Sequence, residues 1–501
     1  MNTKDSIKNP LFAMIQNFIL IVIGFISQKI FINILNIEYL GLNGLFNNVL
    51  SMLGIIELGI GNAIIYNLYK PLKNNDYETI NSLMKFFKKA YRIITYIIFI
   101  IGLLIIPLLP YFVNKVTIDI NINIIYILFL LDICASYVLS YKRSIIYANQ
   151  KNYIINIIHI ICTLLLNTTQ LLILFITKNY YIYLVLKIIF RLIENVTITL
   201  FARKNYTYLN EKNAKDLDKY ILKDITTKIK ALFFHKIGTV VVLGTDNIII
   251  SKFLGLITVG LYNNYYLIIN SINTLFGQAI ISITPSVGHL LVENNKEKNY
   301  NVFKAIRFIN FWIASFSGMA LLLLIKPFII LWLGEDYLLS NLTLIVLVFN
   351  YYQKMMRNCY SVFKEGAGIY YEDRFVPIFE SITNIIASII LVKIIGLPGV
   401  FMGTIISGLW LWLYSYPKYI YKKLFNRSYY NYYKETFSYI LLFILIALIS
   451  YYLSNIIHIN NNYISFVKNA LITLFIPNII IYILFKNSDN FKYFKNLIKI
   501  R

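Results

Sequence analysis

Residues 91–113 read Tyr-Arg-Ile-Ile-Thr-Tyr-Ile-Ile-Phe-Ile-Ile-Gly-Leu-Leu-Ile-Ile-Pro-Leu-Leu-Pro-Tyr-Phe-Val. After Arg92 the stretch runs without a charge for about twenty residues, the length a helix rising 1.5 Å per residue needs to cross a hydrocarbon layer of about 30 Å. The same pattern recurs from end to end. Apolar runs bounded by polar or charged clusters place spans near 11–35, 42–68, 91–113, 123–148, 153–177, 179–203, 231–255, 261–290, 306–333, 342–366, 376–395, 398–420, 437–457 and 464–485. The expectation is an all-α integral membrane protein of about fourteen spans.

Composition agrees. Of 501 residues, 58% are hydrophobic and 14% charged, whereas a soluble domain is about half apolar and about a quarter charged. The net charge of +24 raises a nucleic-acid partner, but the basic residues form no single domain and sit in short connections between apolar runs. Ile, Asn, Lys and Tyr are over-used, which first suggests an AT-rich genome. Cys134, Cys162 and Cys359 fall inside apolar runs, without disulfide or metal spacing. The apolar stretch after Pro10 is too long for a signal-peptide core and should be retained as the first span.

Cytoplasmic loops keep Lys and Arg while translocated loops shed them. With the N-terminus inside, Lys70 to Arg92, then Lys142, Arg143 and Lys151, then Arg203 to Lys230, all fall on the inner side. So do Lys296 to Arg307, Lys418 to Lys434 and the tail from Lys486, while the outer side keeps little beyond Lys115 and Lys178. Both termini are therefore expected in the cytoplasm. The polar stretch 203–230 divides the first twelve spans into two sixes: an N-lobe 1–203, a linker 204–230, a C-lobe 231–420, and a final segment 421–501 with two more helices and a basic tail. Asp216, Leu217, Tyr220, Ile221, Ile225 and Ile229 recur at helical spacing, as suits either an amphipathic helix on the inner membrane surface or a solvated connector. Gly44-Leu-Phe-Asn-Asn48 and Gly260-Leu-Tyr-Asn-Asn264 open the second and eighth spans, the mark of a parallel repeat of six-helix halves.

Glu57-Leu-Gly-Ile-Gly-Asn-Ala-Ile-Ile-Tyr-Asn-Leu-Tyr-Lys-Pro71, preceded by Tyr39-Leu-Gly-Leu-Asn-Gly-Leu45, resembles the polysaccharide-export flippases of the multidrug/oligosaccharidyl-lipid/polysaccharide transporter superfamily. Thr245-Asp-Asn-Ile-Ile-Ile-Ser251, Gly260-Leu-Tyr-Asn-Asn-Tyr265 and Gly399-Val-Phe-Met-Gly-Thr-Ile-Ile-Ser407 resemble them too. The resemblance implies two six-helix lobes in a V around a central cavity, plus two C-terminal helices. It also implies movement of undecaprenyl-diphosphate-linked oligosaccharide across a bacterial plasma membrane. Expected partners are that lipid-linked oligosaccharide and membrane lipids, with polysaccharide polymerase or glycosyltransferases as candidate protein contacts. No nucleic acid and no cofactor beyond a coupling H⁺ or Na⁺ is expected.

Ionisable residues inside spans are costly and are functional candidates by default. The basic ones are Lys29, Lys187, Arg191, Lys236, Lys354 and Arg357, candidates for binding an anionic substrate. Lys187, Arg191 and Glu194 share one helix face, as do Lys354 and Arg357, and arginine's planar fork matches phosphate oxygens. The structural alternative is that Arg191 pairs with Glu194 and the lysines reach toward an interface. Glu57, Asp132 and Asp246 are ion-coupling candidates, with a salt bridge to a cavity cation favoured for Glu57 and a helix cap as the alternative for Asp246. Glu380 is a further carboxylate within a span. His159, His235 and His289 have no second ligand at metal-like spacing and read as ordinary helix residues. Pro285 should kink the eighth span.

No G-x-x-x-x-G-K-[ST] phosphate loop occurs, so ATP does not drive transport within this chain. A membrane polymerase or ligase would need a sizeable outer loop, and the long loops here are inner ones. A multidrug exporter would have about twelve spans and fewer cavity cations. A peptidoglycan-precursor flippase is harder to separate, and the family-like stretches favour polysaccharide.

Overall fold

The structure is a computed structural model describing residues 3–57, 60–113, 118–209, 214–218, 222–223, 225–226, 244–293, 295–369, 372–456, 459 and 461–493. Every regular element among them is helical. The chain forms two compact units, Met1–Gly260 and Leu261–Arg501.

In the first unit, α1 (Thr3–Leu35) and α2 (Ile37–Leu53) lead into a short 3-10 turn, Gly54–Glu57, and then α3 (Ile60–Lys73). There follow α4 (Tyr77–Ile105), α5 (Leu109–Phe112), α6 (Ile122–Tyr137), α7 (Tyr141–Ala148), α8 (Asn152–Thr177), α9 (Tyr180–Asn205) and α10 (Asp246–Leu254). Helix α1 packs on α8, α8 on α9, and α9 on α6, while α3 packs against α4 and α7. Leu42, Leu45, Phe46, Ile80, Met84 and Tyr126 are buried at the centre.

The unit boundary falls at Gly260, inside α11 (Leu256–Ile281). Contacts explain this: α10 packs on α2 and α5, and Ser251 donates a hydrogen bond to the Phe112 carbonyl at 2.7 Å. The first turn of α11 also crosses α2 so closely that a Cβ at Gly41 would lie 2.1 Å from the Leu256 carbonyl oxygen, and one at Gly260 would lie 2.4 Å from that of Ile37. The contact is reciprocal. Asn36 (φ 94°, ψ 166°) and Gly255 (φ 86°, ψ 169°) precede these glycines at equal spacing and share a backbone conformation. The two helix starts thus share a local geometry set by Gly41 and Gly260, the positions where a side chain has no room.

The second unit contains the rest of α11, then α12 (Thr284–Val292), α13 (Lys296–Trp332), α14 (Asn341–Gly366), α15 (Val376–Ile395) and α16 (Leu397–Leu409). Helix α16 continues as a π-helical segment, Trp410–Leu424, followed by α17 (Tyr429–Ile456) and α18 (Asn462–Phe485). Pro285 lies at the start of α12 and interrupts the long span as expected. Gly396 (φ 69°) turns α15 directly into α16, and the two pack face to face because Gly399 meets the Leu391 backbone and Gly403 meets Ser388. Helices α17 and α18 dock through polar stitches as well as apolar surface. Asn469 accepts from Ser454 at 2.8 Å and donates to the Leu323 carbonyl at 3.2 Å, and Trp312 donates to Asn478 at 2.6 Å.

Nine helical segments among the described residues are long and apolar enough to cross a membrane, or ten if the bent pair α6–α7 is one span. The shortfall from about fourteen has physical causes. Helix α9 carries Lys187, Arg191 and Glu194 within one span length, α14 carries Asn350, Gln353, Lys354, Arg357 and Asn358, and the α2–α3 span is broken at Gly54–Glu57. Residues 231–243 lie outside the described residues. The abundant Asn also has a structural use, since Asn36, Asn121, Asn179, Asn295 and Asn461 cap helices with their side-chain oxygens.

Candidate functional site

Asp132, Arg143, Lys187, Arg191 and Glu194 of the first unit meet along one face of α9. Leu184, Glu194, Asn195 and Ile198 are buried there, and Lys187 and Arg191 lie along the same stripe, whereas Val185, Ile189, Leu192, Ile193 and Val196 are exposed on the opposite face. Arg191 and Glu194 stand roughly 17 and 21 Å along α9, near its midpoint.

Across from this stripe, α6 presents Asp132. Its two oxygens meet Lys187 Nζ at 3.0 Å and Arg191 Nε at 3.4 Å, and Lys187 also rests 4.9 Å from the centroid of the Phe129 ring. Arg191 thus leans on Asp132, and its proximity to Glu194 along the helix produces no ion pair. Glu194 belongs to a second cluster. One of its oxygens accepts from Arg143 Nη2 at 2.8 Å and lies 3.2 Å from His159 Nδ1, while Asn195 binds the same Arg143 nitrogen at 2.8 Å.

A bend of 41° between α6 and α7 aims Arg143 inward. The turn holds Leu139 at φ 64°, a left-handed conformation that is strained for a residue with a Cβ and is tolerated where surrounding structure enforces it. The α2–α3 break does the same for Glu57. Its carboxylate accepts from Tyr91 at 2.9 Å and from the Tyr137 hydroxyl. Among the described residues it has two phenol donors and no ion pair, in place of the expected salt bridge. Broken helices with charges at the break are how membrane proteins build polar sites at depth.

In the second unit Arg357 pairs with Glu380 of α15 and contacts the Tyr416 hydroxyl. Lys354, one turn before it, is exposed. Lys364 pairs with Asp373, which is also bound by Ser415 at 2.9 Å. Arg307, only 2% exposed, is clamped by Glu435 and Tyr421 and surrounded by the rings of Phe303, Tyr421 and Tyr439 at 5.3, 5.9 and 5.0 Å. An apolar cavity of about 300 Å³ lies between α14, the π-helical segment and α17, lined by Phe349, Tyr352, Met356, Trp412, Phe437 and Ile440 among others.

Of the remaining candidates, Lys29 is exposed on α1, Asp246 is half-buried in the first turn of α10, and Lys236, with His235, lies outside the described residues. Arg143 and His159 were not singled out by sequence as site residues. Arg143 fell in a basic cluster read as loop, although it stands within the apolar run 123–148, which was the available signal. No group of His, Cys, Asp and Glu among the described residues could hold a metal.

No family model matches the sequence, and no curated protein matches it. Solved structures are similar in fold. A lipid II flippase MurJ in an inward closed conformation superposes with a TM-score of 0.64 at 18% identity, over 95% of this chain and 99% of that one. A Vibrio cholerae MATE transporter variant gives 0.57 at 13% identity, over 82% and 96%. An inward-facing multidrug resistance MATE family transporter of the MOP superfamily gives 0.55 at 14% identity, over 78% and 91%. The chain shares the helical fold of these transporter structures.

Proposed function

We propose that this protein is a flippase, not an enzyme, that moves undecaprenyl-diphosphate-linked oligosaccharide from the inner to the outer leaflet of the bacterial plasma membrane. The observation that carries the reading is the pair Lys187 and Arg191 sharing the single carboxylate of Asp132 toward the middle of α9. In a low-dielectric setting such a surplus of positive charge is costly unless an anion completes it, and a lipid diphosphate supplies one with the geometry arginine prefers. Both termini and the 203–230 segment are cytoplasmic in this reading.

A peptidoglycan-precursor flippase is the second reading, favoured by the near-complete overlap with the lipid II flippase structure. The MATE structures account for 78% and 82% of this chain, which leaves a drug exporter less suited to its full length. The deciding experiment places the gene in two strains, one lacking its polysaccharide flippase and one depleted of its lipid II flippase. Surface glycan restored in the first, and no rescue of the second, supports the reading; rescue of the second alone replaces it.

A further inference from the structure

Arg191 is only half engaged. Its Nε approaches Asp132 at 3.4 Å, longer than a good N–H···O contact of about 2.7–3.2 Å, and its two terminal nitrogens have no partner among the described residues. Exposure is graded along the cluster. The Asp132 side chain is 11% exposed, that of Lys187 24% and that of Arg191 31%. A carboxylate thus lies behind two cations that remain partly exposed. Arg143 places one fork nitrogen 2.8 Å from both Glu194 and Asn195, shorter than the Arg191 contact to Asp132.

We propose that Asp132 is a resident counter-ion in the seat of a diphosphate: it holds Lys187 and Arg191 while the seat is empty and gives them up, oxygen for oxygen, to the incoming anion. This rests on the proposed flippase function and adds a residue that sets how tightly the substrate is held. A translocated anion must bind well enough to enter and weakly enough to leave. An internal carboxylate competing for the same two cations lowers affinity without removing any contact to the substrate, and it reoccupies the cations at release, so neither is left bare in the apolar interior. Asp132→Asn keeps the shape and removes the competing charge.

The test uses the full chain in nanodiscs of uncharged lipid, with polyprenyl diphosphate, inorganic diphosphate and polyprenol as separate probes. Asp132→Asn should bind both diphosphates roughly tenfold more tightly than wild type, as expected when one charge-assisted competitor is lost. Polyprenol binding should not change, and export should slow. If Asp132→Asn fails to fold, Lys187→Gln is compared with Asp132→Asn/Lys187→Gln, whose cluster has the net charge of wild type; the double variant should bind roughly tenfold more tightly than the single. Adding Arg191→Gln should abolish either gain. Unchanged or weaker diphosphate binding when Asp132 is removed, with wild type still preferring polyprenyl diphosphate to polyprenol, overturns the counter-ion and leaves the flippase reading standing. A gain confined to inorganic diphosphate keeps the counter-ion and overturns the lipid-linked substrate. No preference for polyprenyl diphosphate over polyprenol in any variant, with inorganic diphosphate unbound, overturns both.

Discussion

The two units treat charge within helices differently. The first sets a balanced pair, Arg143 with Glu194, beside an unbalanced cluster, Lys187 and Arg191 on the single carboxylate of Asp132. The second pairs cations one to one, Arg357 with Glu380, Lys364 with Asp373 and Arg307 with Glu435, and adds the more exposed pairs Lys423 with Glu372 and Arg427 with Glu297 near the helix ends. A balanced pair with aromatic walls holds helices together. An unbalanced pair with open nitrogens is available to a ligand. Charge count alone does not separate the two; partner count does.

The sharpest way to break this contrast is Arg307→Ala. Removing one partner of a buried ion pair leaves the other uncompensated and costs about 3–5 kcal/mol, so the variant should lose abundance and unfold at markedly lower temperature in detergent. Wild-type stability would show that the clamp on α17 is dispensable.

Next, Arg191→Ala should spare stability and impair export, with a loss of about 1.5–3 kcal/mol in anion binding, a tenfold to hundredfold drop in affinity. Arg191→Lys should recover only part of it, because a point charge lacks the fork. Arg357→Ala is the matched control in the second unit and should lower the unfolding temperature more than Arg191→Ala does. Equal behaviour of the two arginines in both assays would erase the distinction between open and closed pairs.

A smaller effect tests the packing that brings the second unit's pairs into register. A Cβ at Gly403 would lie 2.2 Å from Ser388 Oγ and 2.6 Å from its backbone nitrogen, so Gly403→Ala should cost about 1–3 kcal/mol through forced separation of α15 and α16, read by thermal unfolding. Trp410 fluorescence should report the shift, since its indole bonds Thr383 across the hairpin at 2.8 Å.

The smallest expected effect lies outside the membrane. Asp76 caps α4, and hydrogen bonds from the Thr79 side chain and then its backbone hold the Asp76 carboxyl below its usual range. A carboxyl lowered in the folded state contributes stability above its unfolded pKa and loses it as pH falls through the folded value. Asp76→Ala should therefore cost about 1 kcal/mol at neutral pH, and the gap to wild type should close as the carboxylate protonates in acid. A gap that persists in acid would mean the cap's charge is irrelevant.

The helical class was legible in the chain itself. Long uncharged runs can satisfy their backbone in lipid only as helices, so the all-helical class followed from runs such as 93–113, and Pro285 marked its break for the same local reason. The charged positions Lys187, Arg191, Glu57 and Asp132 were visible because ionisable groups inside apolar runs are rare. What sequence could not assign was partnership. Glu194 was the near neighbour of Arg191 along α9, yet the bend at Leu139 brings Arg143 to Glu194, and α6 brings Asp132 to Arg191. Helical spacing determines which residues share a face; which face of which other helix opposes it depends on crossings such as Gly41 with Leu256, where atoms far apart in the chain compete for the same space. That competition is settled only when the helices pack.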